Sequence, residues 1–197
     1  PLPHPLKQLA LWLVLTAVVF LGALATYSGF RADIAQKLAE PVYILELALL
    51  FLMAHSAAFA ALCLSRPDCH QMPKIRYIPF GFLFFWAITA FAGASNISWT
   101  NICYTVSLMQ VDCLWHILLV SALPGIAMFL MIRKGAPIEC CWAGTMATWS
   151  VTSLAYLYMR LIEMTDNPLH LIVWHALPIV MMCMVGMIAG KYVLRWR

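Results

Sequence analysis

Residues 41–64 read PVYILELALLFLMAHSAAFAALCL. Only Glu46, His55 and Ser56 break an apolar run that is long enough, at about 1.5 Å per residue, to cross the hydrocarbon of a bilayer. Polar and apolar residues do not alternate as they must in a barrel strand, so the run is a helix. Five more stretches have the same character: Leu9–Phe30, Ile78–Ala94, Met109–Ile132, Glu139–Leu161 and Leu169–Val193. Turn and breaker residues fill the gaps, at Arg66-Pro67-Asp68, Met72-Pro73, Lys134-Gly135-Ala136-Pro137 and Asp166-Asn167-Pro168. The pattern predicts an all-α membrane protein, a bundle of six transmembrane helices forming one domain over residues 1–197.

Composition agrees. Of 197 residues, 64% are hydrophobic and 10% charged, with a mean hydropathy of +0.87. Soluble domains run at about 45–50% apolar and about 25% charged. A core of this length cannot hide the excess, so lipid takes it. A soluble enzyme and a disordered chain are excluded. The net charge of +4, from 12 basic and 8 acidic residues, is too small for a nucleic-acid-binding groove.

Basic residues set the orientation. Six spans put both termini on one side, together with Lys7, Arg66, Lys74, Arg76, Arg133, Lys134, Lys191, Arg195 and Arg197. The other side holds Arg31, Lys37 and Arg160. This asymmetry places both termini in the cytoplasm. The first span is too long for a signal peptide and no small-residue cleavage site follows it. Pro1, Pro3 and Pro5 predict an extended start, and a chain opening on Pro1 instead of Met predicts a cytoplasmic segment upstream. On the outer side, Ser95–Leu108 reads as an interfacial connector and Asp33–Glu40 as a shorter one.

Ionisable groups inside a span are costly and mark candidate sites. Glu46 falls one turn below the outer end of the second span. Asp112, Cys113 and His116 fall in the first turns of the fourth span, and His175 two turns into the sixth. Spacings of three and four put Cys113 and Asp112 on the face of His116. His116 and His175 both lie roughly 10 Å below the outer interface at 1.5 Å per residue. A metal site of His116, His175 and Cys113 would suit zinc or cadmium, a soft or borderline divalent ion. A hydrogen-bonded structural network and haem held by His116 and His175 are the alternatives. His55 reads as a satisfied interior group. Pro124-Gly125 and Pro178 mark kinks.

Of seven cysteines, only Cys103 and Cys113 fall on the outer side, where a disulfide can persist. There is no C-x-x-C, and adjacent Cys140-Cys141 is poor geometry for a bridge. Gly186 and Gly190 form a G-x-x-x-G, which serves either packing within the chain or a homodimer.

The second half carries Asp112-Cys113-Leu114, Arg133-Lys134-Gly135-Ala136-Pro137, Ala143-Gly144, Asp166-Asn167-Pro168-Leu169, Trp174-His175-Ala176-Leu177-Pro178 and Leu194-Arg195-Trp196, in that order. With Phe30-Arg31-Ala32-Asp33 and Glu40-Pro41 in the first half, this resembles the NrsF-type family of bacterial integral-membrane anti-sigma factors. The resemblance covers nearly the whole chain, with specific motifs from about residue 110 onward. It implies an inner-membrane protein, not an enzyme, that sequesters an extracytoplasmic-function sigma factor through an N-terminal segment lying before this chain. It further implies release of that factor on a metal or oxidative signal passed through two cysteines, with no direct nucleic-acid contact. Cys113 matches the first of those cysteines. The loop expected to hold the second, Ile162–Asn167, has none, leaving Cys103 or Met164 as the sulfur partner.

Two other functions fit the residues alone. The intramembrane acids and histidines suit a small metal-ion or proton transporter, which needs a polar path continued by Ser65, Thr145 and Thr148. A haem- or quinone-linked membrane redox protein is the other.

Overall fold

A computed structural model of the protein describes residues 4–27, 29–66, 74–94 and 111–195. Every regular element among these described residues is helical. Helix α1 spans Pro5–Tyr27, the short α2 Ile34–Lys37, and α3 Pro41–Leu64. A 3-10 turn, Ile75–Tyr77, leads into α4, Ile78–Ala94; then come α5, Val111–Arg133, and α6, Cys140–Ile162. Helix α7 runs over Pro168–Val193. The connector Ser95–Leu108, with Cys103, lies outside the described residues, as do Pro1, Pro3 and Cys69.

Local chemistry explains the helix ends. Pro5 was expected in extended chain, but it is the first residue of α1. At that position its missing N–H costs nothing and its fixed φ suits the helix. Pro41 opens α3 in the same way. Gly29 follows α1 at φ +71°, a left-handed conformation that lets its N–H donate to the Leu24 carbonyl at 3.1 Å.

Of the six predicted spans, five are helices long and apolar enough to cross a membrane: α1, α3, α4 with its 3-10 turn, α5 and α7. Helix α6 is the exception. It has the length of the others, 23 residues, but carries Thr145, Thr148, Ser150, Thr152, Ser153 and Arg160. The reason is its place. Helix α6 packs against α3, α5 and α7, while α4 lies on α3, and α1 lies on α5 and α3. It is buried from Ala143 to Arg160 apart from half-buried positions, so it meets protein where the others meet lipid. Its threonine hydroxyls serve its own backbone: Thr145, Thr148 and Thr152 each donate to a carbonyl three or four residues back.

Small residues let these helices approach. Ala54, Ala57, Ala58 and Ala61 of α3 are all buried. Gly186 and Gly190 of α7 face Gly144 of α6, where an added Cβ would come within 2.8 Å of the Gly190 Cα. The G-x-x-x-G is therefore engaged inside the chain. This takes away the motif on which the homodimer expectation rested. Trp12 of α1 is fully buried and its indole N–H donates to the Pro124 carbonyl of α5 at 2.9 Å, fixing the flank of the bundle. Outward, Leu11, Val14, Val18 and Leu21 on α1, and Val180, Met181, Met184 and Ile188 on α7, leave more than half their surface exposed, forming apolar bands.

The two ends of the bundle differ. At the end that holds Pro5 and Val193, Arg66 donates to Gln8 at 3.3 Å and Arg76 pairs with Glu139 at 2.5 Å. At the opposite end Arg31, Arg160, His170 and His175 are buried.

Candidate functional site

The site is organised by the five-residue link between α6 and α7, Glu163-Met164-Thr165-Asp166-Asn167. Asn167 closes the link by accepting the Leu169 N–H at 3.0 Å, with Pro168 as the first residue of α7. Glu163 and Asp166 leave this link in different directions and anchor two polar clusters.

The first cluster is built on Glu163. Its Oε1 lies 2.8 Å from His170 Nε2 and its Oε2 lies 2.9 Å from His175 Nε2. The Cys113 thiol, from the first turn of α5, donates to Oε1 at 3.7 Å and lies 4.0 Å from His170 Nε2. One ligand-type atom from each of these four side chains lies within 4.8 Å of all the others. Cys113, His170 and His175 are buried and Glu163 is half-buried. Burial works against the charge on Glu163, but the imidazoles of His170 and then His175 outweigh it and hold its carboxyl at about 2.

A change of helix type brings the two histidines together. At 3.6 residues per turn, positions five apart point about 140° away from each other. Residues Leu171–Ala176, however, form a π-helical stretch, whose wider turn aligns positions i and i+5. The rings of His170 and His175 meet edge to face, with centroids 5.2 Å apart. Pro178 lies just beyond the stretch. It has no N–H for the Trp174 carbonyl and its ring crowds that carbonyl, so regular α bonding is closed to this turn.

The second cluster is built on Asp166, which meets three cations. Oδ1 pairs with Arg160 at 3.1 Å, and Oδ2 pairs with Arg31 at 3.1 Å and Lys37 at 2.9 Å. Arg31 also grips Asp33 at 2.6 Å, and Arg160 grips Glu46 at 3.0 Å. Both guanidinium groups lie over the Tyr43 ring, at 5.7 and 5.0 Å, and the Tyr43 hydroxyl donates to the Arg160 carbonyl. Burial opposes the charge on Asp166, but hydrogen bonds from Arg31, Lys37 and Arg160 outweigh it and keep the carboxyl well below the usual carboxylate range. Hydrogen bonding to Arg31 likewise lowers Asp33. Tyr156 joins the two clusters: its hydroxyl donates to Glu46 at 3.1 Å while its ring meets His175 at 5.0 Å. A cleft of about 180 Å³ opens beside Lys37, Tyr43, Glu46, Tyr156, Arg160 and Asp166.

Of the residues singled out by sequence, Cys113 and His175 meet in the first cluster. His116 is not among its four residues; its Nδ1 lies 2.7 Å from the Asp112 carbonyl oxygen, and the Asp112 side chain is exposed. Glu46 belongs to the ion-pair cluster. Cys113 is a free thiol among the described residues, and its expected disulfide partner Cys103 lies outside them. Sequence reasoning missed Glu163 and His170 as members of this cluster. His170 had one signal: a histidine five residues before His175, with a proline three residues after it, in an otherwise apolar helix. Ser65, Thr145 and Thr148, the residues a transport path would need, donate to nearby carbonyls of their own helices.

The sequence model of the NrsF family, described as negative regulator of sigma F, matches residues 2–196. The chain belongs to the NrsF family. No curated protein and no solved structure matches it. NrsF is a family of regulators of a sigma factor, and regulation is not a catalytic role. Five apolar helices long enough to span a bilayer make this member a membrane protein. The link in which the resemblance looks for a second cysteine instead presents Glu163 to Cys113.

Proposed function

We propose that this NrsF protein is an inner-membrane anti-sigma factor. It sequesters an extracytoplasmic-function sigma factor and releases it when a metal or oxidative signal reaches Cys113 and its neighbours from the periplasmic side. The family match over residues 2–196 carries the regulatory reading. Six spans follow if α6, as long as the others and central to the bundle, counts as the fifth of them. The basic residues then put the Pro5 and Val193 end in the cytoplasm. The Cys113 and Asp166 clusters fall at the far end, where a signal from outside arrives first. The sigma factor is held through a cytoplasmic segment preceding residue 1.

A mechanism follows from the geometry. The Glu163–Asn167 link is pinned on one side by His170, His175 and Cys113, and on the other by Arg31, Lys37 and Arg160. Any event that pulls Glu163 away from the histidines strains the joint between α6 and α7. Helix α6 touches α3, α5 and α7, so a shift at that joint reaches the cytoplasmic ends. Cells lacking the protein test the reading: promoters of one extracytoplasmic-function sigma factor should fire without stress. If every such promoter stays silent, the reading is wrong.

A further inference from the structure

Four side chains from separate segments converge at Glu163: Cys113 from α5, Glu163 from the link, His170 from the first turn of α7 and His175 from its π-helical stretch. They differ from an ordinary buried hydrogen-bond network in one respect. Both ring nitrogens of His175 and Oε2 of Glu163 are buried without a hydrogen bond, although His175 Nε2 and Oε2 are only 2.9 Å apart. The ring N–H direction is not aimed at the oxygen. The large majority of buried side-chain polar atoms find a partner, so a nitrogen and an oxygen this close without a hydrogen bond need an explanation. Lone pairs that converge on a shared point supply one. We propose that Cys113, Glu163, His170 and His175 form a binding site for a zinc-class divalent cation.

The dimensions and the chemistry agree. Bonds of about 2.3 Å to sulfur and about 2.0–2.2 Å to nitrogen and oxygen give tetrahedral edges of about 3.3–3.8 Å. Contacts of 2.8 and 2.9 Å through the two carboxylate oxygens, and of 3.7 and 4.0 Å from the thiol, bracket those edges, and every pair lies within 4.8 Å, so side-chain shifts of about 1 Å complete the site. One thiolate, one carboxylate and two imidazoles form a closed borderline ligand set, whereas calcium takes six or more oxygens and magnesium an oxygen octahedron. The thiol proton leaves as the metal binds. The thiolate and carboxylate then cancel the charge of the ion, which suits a buried position next to lipid. The π-helical stretch, which costs the regular α ladder, is what places His170 and His175 on the same face. The bound ion would tie α5, the link and α7 together. Its role as a signal rests on the regulatory reading above; the binding does not.

The test uses the protein in detergent micelles. After exposure to Zn²⁺ and gel filtration, one zinc per chain is expected by elemental analysis. Co²⁺ in place of zinc should give the visible bands of four-coordinate cobalt with a sulfur-to-cobalt charge-transfer band. Cys113→Ser should abolish the charge-transfer band. Cys113→Ser, Glu163→Gln and His170→Ala should each lower zinc affinity by more than about 100-fold, beyond the cost of losing an outer-shell partner. Circular dichroism checks that each variant keeps its helices, and His55→Ala in α3 serves as control. Substoichiometric zinc in folded wild-type protein, or affinity unchanged in folded Cys113→Ser and His170→Ala, overturns the site. If the variants do not fold, a wild-type cobalt spectrum without the sulfur band overturns it. Sigma-factor capture by full-length protein separates the two readings. Capture without stoichiometric zinc removes the site and keeps the regulator, whereas zinc without capture does the reverse.

Discussion

Replacing Asp166 by Asn removes one negative charge from the meeting point of three cations and leaves the shape almost unchanged. The magnitude follows from burial. The Arg31 side chain is 0% exposed and that of Arg160 is 4%, so neither can turn to water when its partner is lost. Breaking a fully buried pair costs about 3–5 kcal/mol. Two facts reduce this figure. Asp166 is itself 36% exposed, where solvent screens the attraction. Both arginines also keep a second carboxylate, Asp33 and Glu46. The loss is then about 1–3 kcal/mol, which for a chain of this size lowers Tm by about 3–9 °C. Tryptophan fluorescence during heating in detergent would read it. The pH dependence is a second check. The folded carboxyl lies below its unfolded value of about 3.9, so its contribution is complete above that value and drains away as the pH falls below it. The Tm difference between wild type and Asp166→Asn should therefore be full at pH 6 and shrink on acidification through about pH 4 toward pH 3. A variant as stable as wild type at pH 6, or a difference that does not narrow with acid, would refute the cluster as an anchor.

Three other outcomes follow. Gly144→Val sets a side chain against the backbone of α7 and should cost about 1–3 kcal/mol by overpacking, read as a lower Tm; an unchanged Tm would show that α6 and α7 are not in close contact there. Trp12→Phe leaves the Pro124 carbonyl without its indole donor and should cost about 1–3 kcal/mol in the same assay. Cys113, 9% exposed, should react with a thiol reagent in intact micelles far more slowly than exposed Cys141, and mass spectrometry of single-cysteine variants would compare the two rates. Equal rates would place Cys113 outside the cluster.

The helices were legible because lipid imposes length and hydrophobicity and because punctuation is local. Pro41 and the break at Arg66-Pro67 fix both ends of α3, and the expected span Pro41–Leu64 matches the helix. Helix α6 shows the limit of that reasoning. Its hydroxyls and Arg160 report that it meets protein more than lipid, and only packing shows that it is central. The candidate site was half legible. Cys113 and His175 stood out as polar groups in apolar runs, but a 3.6-residue period assigns His170 to the wrong face, and the π turn that corrects it is a tertiary compromise around Pro178. Glu163 read as one acid in an outer loop. The pairing of Arg31 with Asp166 joins residues 135 positions apart and leaves no trace in spacing.

The central claim is that this NrsF protein holds a sigma factor at the membrane. Affinity capture of the full-length protein from native membranes, followed by mass spectrometry, tests it most directly. One extracytoplasmic-function sigma factor should be recovered in near-stoichiometric amount, and less of it when the cells are stressed before capture. Full-length protein that is folded, abundant and free of any sigma factor would contradict it.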